Sequence, residues 1–529
     1  MFDVLIAGGD LYDGTGAGPV RADVGVCGDR VSAVGRGLPR EAGAVLDAAG
    51  KAVCPGFINI LSHSDVTILR DPRSLGELTQ GVTTEVFGEG VSMGPLTPRL
   101  KAELEGSGRG LDAGVSWSRL SGYLRHVERR GASQNVASFI GAGTLRAGAV
   151  GYSDRPATPA ELDRMRAIAA EEMADGALGI ASALVYPPGS YAGTGELASL
   201  CEVAAAYDGC YASHVRGEGE QLHAALGEFL RIVRGAGLRG EVFHLKALGR
   251  PNWHLMDGAV SLIEEARSAG LPVTADVYPY TAGSSGLTSV IPGRYHEGGA
   301  AALYDRLGDP GVRAAIRAEL SGRWSRVSEA ENLLILRVAA EENRKWQGRT
   351  LAEVAAARGT DPVEAAMDLI ASDRSRVQTA YFSMSEENLR AALRLPWVGI
   401  CSDSASMAPE GWSLRAPVHP RAYGSFARVL GHYVRDEKVL PLADAIRRMS
   451  GLPAATLGLS GRGVLREGAY ADIVVFDPAT VTDRATFADP HQLSAGVSEV
   501  LVNGKVTISG GAFTGELAGR ALAGPGGRR

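Results

Sequence analysis

Residues 209–246 of the chain read GCYASHVRGEGEQLHAALGEFLRIVRGAGLRGEVFHLK. A short apolar run ends at His214, a pattern with helical spacing follows over 221–235, and a second apolar run begins at Glu241. A strand, a helix and a second strand of this kind form a βα repeat, whose strands lie parallel in one sheet. This stretch therefore predicts a parallel sheet.

The same alternation continues on both sides of this stretch. Helical patterns cover residues 159–176, 196–207 and 259–268, and Thr158 is placed to cap the first of them. Short apolar strands are predicted at 178–182 and 272–277. The length of the series predicts an α/β fold with a TIM-type (β/α)8 barrel.

The two ends of the chain differ from this middle part. Residues 1–55 and 465–520 contain short strand patterns separated by turns, such as the Asn503-Gly504 pair. We predict a small β-sandwich domain built from both termini and a catalytic barrel over 56–464. Residues 286–350 interrupt the alternation of strands and helices and are predicted to be an insertion over the barrel mouth. Residues 521–529 are predicted to be a flexible tail.

The composition excludes several classes of protein. With 54 Lys and Arg against 60 Asp and Glu, the net charge is -6, and the basic residues are scattered. We therefore expect no nucleic-acid or membrane partner. The five cysteines form no CxxC pair, the N-terminus reads as a strand, and no run of about 18 apolar residues occurs. A cytoplasmic enzyme is expected.

Polar residues that can ligate a metal follow several predicted barrel strands. Such strand ends carry the active site in this kind of barrel. His214 and His244 each close an apolar strand and lie 30 residues apart, about one βα repeat, so neighbouring strands would place both imidazoles side by side. His63, Glu89 and Asp403 follow other apolar runs. Imidazole and carboxylate groups are common zinc ligands.

Each of these residues also has a structural alternative. His63 could be a hydrogen-bonding residue and Glu89 a solvated loop carboxylate. His214 and His244 could be two independent core histidines, and Asp403 a helix N-cap.

Taken together, the motifs resemble the amidohydrolase superfamily, and more narrowly its N-acyl-D-amino-acid deacylases. The resemblance covers essentially the whole chain. It rests on the order of the motifs PGFI (55–58), QGVTT (80–84), GALG (176–179), YPPGSY (186–191), HVRGEG (214–219), HLK (244–246), DVYPY (276–280), HPR (419–421) and GAYADIVVFD (468–477).

The resemblance implies roles for individual residues. His214 and His244 match metal ligands from the fifth and sixth barrel strands, and Asp403 matches the aspartate after the eighth. Lys246 and Tyr278 match residues that hold the substrate carboxylate. In addition, the resemblance implies that Tyr191 lines the acyl or side-chain pocket.

Two departures from the family pattern change the expected metal site. The family shows Asp-x-His-x-His after the first strand, whereas this chain has Asn59, Leu61 and His63 at the conserved positions. Leucine cannot ligate a metal, so we expect the family's second metal site to be lost. Glu89 stands where the family has a cysteine ligand. We therefore expect one zinc ion held by Glu89, His214 and His244.

This set implies hydrolysis of an N-acyl-D-amino acid or a related small molecule. Asp403 would move the proton and His63 would donate to the oxyanion. Arg294 is a candidate for binding an acidic side chain, with a solvated surface arginine as the alternative. Other open alternatives are action on a D-configured dipeptide, a cyclic amide or a lactone, and a metal-free non-catalytic homologue. The oligomeric state is left open.

Overall fold

The computed structural model describes residues 1–106, 114–321 and 326–528. Its strands are β1 (Phe2–Leu11), β2 (Val20–Cys27), β3 (Arg30–Gly35), β4 (Ala42–Asp47), β5 (Ala52–Pro55), β6 (Phe57–Asn59), β7 (Val82–Phe87), β8 (Asn135–Ser138), β9 (Ile140–Gly141), β10 (Gly179–Ala183), β11 (Cys210–His214), β12 (Arg239–Val242), β13 (Val273–Val277), β14 (Gly283–Gly286), β15 (Leu333–Arg337), β16 (Gln378–Tyr381), β17 (Val398–Ile400), β18 (Ile473–Phe476), β19 (Val497–Val502), β20 (Lys505–Ser509) and β21 (Ala512–Phe513). Its α-helices are α1 (Thr67–Arg70), α2 (Leu75–Leu78), α3 (Pro98–Glu105), α4 (Leu120–Arg130), α5 (Ala142–Ala149), α6 (Pro159–Ala174), α7 (Thr194–Ala205), α8 (Leu222–Ala236), α9 (Met256–Ser268), α10 (Ala300–Arg306), α11 (Pro310–Leu320), α12 (Leu351–Arg358), α13 (Pro362–Asp373), α14 (Glu386–Arg394), α15 (Arg421–Arg428), α16 (Leu442–Met449) and α17 (Gly451–Leu457).

Eight parallel strand positions form the barrel. Strands β6, β7 and β8 pair in that order, and β9, β10, β11, β12, β13 and β17 pair in a second series. Strands β8 and β9 occupy one position and are separated only by Phe139. The barrel closes between the ends of β6 and β17, where the Asp403 backbone N–H donates to the Leu61 carbonyl at 3.0 Å and Ser62 bridges Ser404.

Local sequence explains why these elements form where they do. All five residues of β11 are buried, as expected for a parallel strand covered on both faces by helices and barrel interior. Helix α6 begins at the cap that the sequence predicted: Thr158 and Glu161 form a reciprocal capping box. The barrel strands and their helices confirm the predicted fold class.

The β-domain joins the two ends of the chain. Its hydrogen-bonded path runs β21-β20-β19-β18-β5-β1-β2-β3, with β4 added beside β1. The antiparallel pair of β18 and β5, with Ile473 opposite Pro55, connects the C-terminal strands to the N-terminal ones. Strand β5 of this sheet leads through Gly56 alone into β6, the first barrel strand.

The insertion is a separate packing unit. Strands β14, β15 and β16 form an antiparallel sheet, and helices α10 to α13 pack on it around their own hydrophobic core. This unit runs from Gly283 to Tyr381, so the predicted range 286–350 covers only its first part. Tyr186, whose ring packs 5.4 Å from the His214 ring, hydrogen-bonds Ser285 at 2.7 Å, which links the insertion to the barrel rim.

The end of the chain packs on the barrel. Ala521 bridges Val136, and the Gly524 N–H donates to the Gly176 carbonyl at 2.8 Å. Residues 521–528, for which the sequence predicts a flexible tail, are thus held by backbone contacts. Among the described residues, none of the helices has the length and apolarity needed to cross a bilayer.

Candidate metal centre

The five strand-end residues meet at one rim of the barrel. His214 is the last residue of β11, and His244 follows β12 by two residues. Glu89 follows β7, and His63 and Asp403 follow β6 and β17. Since the carboxyl ends of parallel strands share one rim, residues separated by more than 300 positions become neighbours.

Backbone conformation at this rim is unusual for the residue types present. His244 has φ 37° and Asp403 has φ 48°, both in the left-handed region that non-glycine residues rarely adopt. The Asp276 carboxylate accepts the His244 backbone N–H at 2.8 Å and supports that conformation. Strain of this kind is tolerated where the surroundings hold the backbone in place, and it is enriched at functional sites.

Glu89 connects all three histidines. Its Oε1 lies 2.9 Å from His214 Nδ1 and 3.1 Å from His244 Nε2, and its Oε2 lies 3.1 Å from His63 Nε2. Burial opposes ionisation of Glu89, but its hydrogen bonds to His214, His244 and His63 hold its pKa well below the ordinary value. The side chains of Glu89, His214 and His244 are 7%, 6% and 3% exposed.

The donor set fits a metal ion. One ligand atom each from Glu89, His214 and His244 lies within 4.8 Å of the other two. Two imidazole nitrogens and a carboxylate oxygen are a common catalytic zinc set, which leaves a coordination position open. His63, Glu89 and Asp403 form a second group with the same spacing, and they share Glu89 with the first.

His63 is the exposed member of the centre, and Asp403 lies largely buried beside it. The His63 side chain is 42% exposed, and its Nε2 lies 3.0 Å from Asp403 Oδ1. Burial opposes protonation of His63, but hydrogen bonds to Asp403 and Glu89 raise its pKa to about 10. The two side chains therefore form a hydrogen-bonded pair next to Glu89, with His63 in contact with solvent.

Leu61 does not contribute a polar atom to the centre. Its side chain is 1% exposed and belongs to the apolar cluster inside the barrel. Asn59, the other departure from the family pattern, donates to Glu77 and to Ser402 at 2.8 Å each. Both positions therefore support the barrel interior.

Two residues near the centre lie in sequence motifs but had no predicted role. Glu218 is buried against His214 and His244 and accepts from Lys246. Arg421 donates to Asp403 Oδ2 at 2.7 Å, and its guanidinium lies 4.5 Å from the Tyr278 ring centroid. Their place in the motifs HVRGEG and HPR was a signal, since Glu218 follows His214 by four residues and Arg421 follows Asp403 by 18, but neither motif shows which polar groups meet.

The predicted substrate-binding residues fall into two groups. Lys246 and Tyr278 lie at the centre: the Tyr278 ring is 6.4 Å from the His244 ring, and Lys246 is 8% exposed. Tyr191 and Arg294 meet at the insertion instead, since the Tyr191 hydroxyl donates to the Gly293 carbonyl at 3.1 Å.

Arg294 is mostly exposed and already has partners. Its guanidinium lies 2.5 Å from Glu319 Oε2, with 61% of the side chain exposed, and it donates to the Tyr295 hydroxyl at 2.8 Å. A carboxylate substrate would therefore compete with Glu319 for this cation.

Comparison with known proteins finds relatives over nearly the full length of this chain. A model of the amidohydrolase family matches residues 44–508. The D-aminoacylase of Alcaligenes xylosoxydans xylosoxydans is 37% identical over 99% of this chain and 98% of its own length. The N-acyl-D-glutamate deacylase of Alcaligenes xylosoxydans xylosoxydans is 34% identical over 95% of this chain and 93% of its own length.

A solved structure is similar over the same length. The N-acyl-D-glutamate deacylase from Bordetella bronchiseptica, complexed with zinc and a phosphonate inhibitor that mimics the tetrahedral intermediate, superimposes with a TM-score of 0.82. It is 32% identical, and the match covers 99% of each chain.

Proposed function

The chain belongs to the amidohydrolase family, and from this premise we propose that it hydrolyses N-acyl-D-amino acids to a carboxylate and a free D-amino acid. The observation that carries the proposal is the convergence of Glu89, His214 and His244, with His63 and Asp403 beside them. This arrangement supplies metal ligands and a proton-transfer group at one rim.

The proposed cofactor is a single zinc ion held by Glu89, His214 and His244. Leu61 offers no ligand atom where a second ion would need one, which favours one ion over two. A bound zinc ion supplies Lewis-acid activation of water and of the amide carbonyl. Manganese or cobalt could occupy the same set of ligands.

Asp403 and His63 carry the proton and charge movements in this proposal. As the oxygen of water bonds to the acyl carbon, Asp403 accepts the water proton. The carbon–nitrogen bond then breaks, and Asp403 returns the proton to the leaving nitrogen, so that the amine departs neutral. His63 donates a hydrogen bond to the carbonyl oxygen while negative charge develops on it.

Lys246 and Tyr278 are proposed to hold the substrate carboxylate. The Lys246 ammonium has three N–H groups, and its described contacts are Glu218, His244 Nδ1 at 2.9 Å and the His244 carbonyl at 3.1 Å. When His244 ligates a metal through Nε2, its Nδ1 carries a proton and can no longer accept from Lys246. One ammonium N–H is then released for the substrate.

Tyr191 and Arg294 are proposed to act on the side chain of the substrate. Their meeting point at Gly293 lies in the insertion, which contacts the rim through Tyr186 and Ser285. An acidic side chain would take the place of Glu319 beside Arg294. This proposal predicts faster turnover of N-acyl-D-glutamate than of N-acyl-D-leucine.

The proposed function is tested by amine release from paired N-acetyl-D- and N-acetyl-L-amino acids, with D-configured dipeptides alongside, after loading with zinc. We expect turnover confined to the N-acyl D-series. If the zinc-loaded protein releases amine from none of these substrates, the proposed substrate class is wrong. Equal rates on the leucine and glutamate substrates, unchanged in Arg294→Ala, would remove Arg294 from the site.

A further inference from the structure

Both ligand histidines present their second ring nitrogen to one carboxylate. His214 faces Glu89 through Nδ1 and Glu218 Oε2 through Nε2, at 3.4 Å. His244 faces Glu89 through Nε2 and Glu218 Oε1 through Nδ1, at 3.2 Å. Glu218 therefore lies behind both imidazoles, on the side away from the metal centre.

The protonation of imidazole explains why a carboxylate at this position matters for metal binding. A neutral imidazole that ligates a metal through one nitrogen carries its proton on the other. In this site, the protonated nitrogens would be His214 Nε2 and His244 Nδ1. Each of them faces a different oxygen of Glu218, and an ionised carboxylate can accept from both because it has no proton to donate.

His214 Nε2 has a particular need for this acceptor. The atom is buried and has no hydrogen-bond partner within the described ranges, and Glu218 Oε2 at 3.4 Å is the carboxylate in contact with it. An unpaired buried N–H is costly. Without Glu218, the unpaired Nε2–H would favour a rotated His214 ring or the tautomer with the proton on Nδ1. In either case Nδ1 could no longer ligate the metal.

Lys246 keeps the carboxylate ionised and in place. The side chains of Lys246 and Glu218 are 8% and 4% exposed, and their charged ends are in contact. A buried carboxylate with no counter-charge would be strongly unfavourable. Glu218 needs only Oε1 to pair with Lys246. Its second oxygen, Oε2, lies next to His214 Nε2.

We propose that Glu218 is a positioning residue that fixes the metal-binding tautomers of His214 and His244 at the same time. This inference rests on the proposed metal site and adds to it a residue that touches neither metal nor substrate. It also explains the pairing of Glu218 with Lys246, which supplies the compensating charge. Its consequence is that zinc affinity depends on Glu218.

The test is the zinc dissociation constant of the full-length protein, measured by competition with a chromogenic chelator. Glu218→Gln keeps the shape of the side chain, but the amide nitrogen cannot accept, so one histidine loses its acceptor. We expect zinc to bind about 10–100-fold more weakly, the usual effect of removing an outer-shell partner. Binding within twofold of the wild type would overturn the proposal.

Glu228→Gln is the matched control. Glu228 is another largely buried carboxylate, 9% exposed, and it pairs with Arg216 at 2.8 Å; none of its contacts among the described residues is to a histidine. We expect zinc affinity to be unchanged in this variant. An equal loss in both variants would attribute the effect to general destabilisation and would overturn the positioning role.

A second measurement keeps the proposal testable if Glu218→Gln does not fold. In the zinc-loaded wild type, ¹⁵N NMR of the histidine side chains should show protons on His214 Nε2 and His244 Nδ1 that exchange slowly with solvent. The opposite tautomer at either ring would overturn the inference while leaving a metal enzyme. Failure of the wild type to bind zinc would overturn the proposed function together with this inference.

Discussion

At the scale of single residues, Asp403 has both carboxylate oxygens engaged, by His63 at 3.0 Å and by Arg421 at 2.7 Å. Burial opposes ionisation, but Arg421 and His63 lower the pKa of Asp403 below its ordinary value. Asp403→Asn retains the shape but cannot accept a proton. We expect kcat to fall about 10²–10⁴-fold, the range for losing a general base, with zinc content unchanged by elemental analysis.

Asp483→Asn is the control for this change. Asp483 is similarly buried, at 12% against 11% exposed, and it also pairs with an arginine, Arg428. We expect its turnover to match the wild type. If Asp403→Asn keeps wild-type turnover, Asp403 is not the proton-transfer group.

Single residues also show what the sequence could and could not predict. His214 and His244 were predictable because each closes an apolar strand, one βα repeat apart. Glu218, in the loop after β11, and Arg421, at the start of α15, were not assigned a role, because a charged side chain at such a position shows its chemistry only through its partners. Glu218 meets His244 across the neighbouring strands β11 and β12, and Arg421 meets Asp403 across the 18 residues that separate them after β17.

At the scale of elements, the loop after β7 depends on its glycines to present Glu89. Gly90 has φ 66°, and a Cβ at this position would lie 2.5 Å from Ala183 Cβ and 2.8 Å from its backbone nitrogen. Gly90→Ala must therefore displace the loop or β10. We expect zinc to bind at least tenfold more weakly and the free energy of unfolding to fall by about 1–3 kcal/mol.

Gly151→Ala separates crowding from backbone strain. Gly151 also has a left-handed φ, 84°, but no atom of the described ranges lies within 4 Å of its added Cβ. We expect a stability loss of about 1 kcal/mol from strain and unchanged zinc affinity, measured by denaturant unfolding and chelator competition. Equal zinc affinity in Gly90→Ala and Gly151→Ala would show that the loop does not position a ligand.

Elements differ in how well the sequence predicts them. The barrel strands were found to within one or two residues where an apolar run was bounded by polar ones, as in β11 and β13. The insertion was predicted at 286–350, whereas its sheet is completed by β16 at Gln378–Tyr381. That strand pairs with β14, about 95 residues earlier, and no local pattern encodes such a distant partner.

At the scale of the whole molecule, the proposed metal ligands come from strand ends that are far apart in the chain. Glu89 and His244 are 155 residues apart, so the ligand set exists only when the barrel is closed. Zinc should therefore bind the folded chain in preference to the unfolded chain and stabilise it. At a free concentration 100 times the dissociation constant, the gain is about 2.7 kcal/mol.

The stabilisation by zinc can distinguish the proposed centre from a second group of residues that could bind a metal, which is partly exposed. Glu386, His432 and Glu437 also lie within 4.8 Å of one another, but Arg390 already pairs with Glu437. We expect zinc to raise the Tm by about 3 °C in the wild type and in His432→Ala, and to leave it unchanged in His214→Ala, by calorimetry. A rise that persists in His214→Ala and disappears in His432→Ala would place the stabilising ion on the surface. Because closure of the barrel is what assembles Glu89, His214 and His244, a stabilisation that depends on His214 would instead tie metal binding to the fold as a whole.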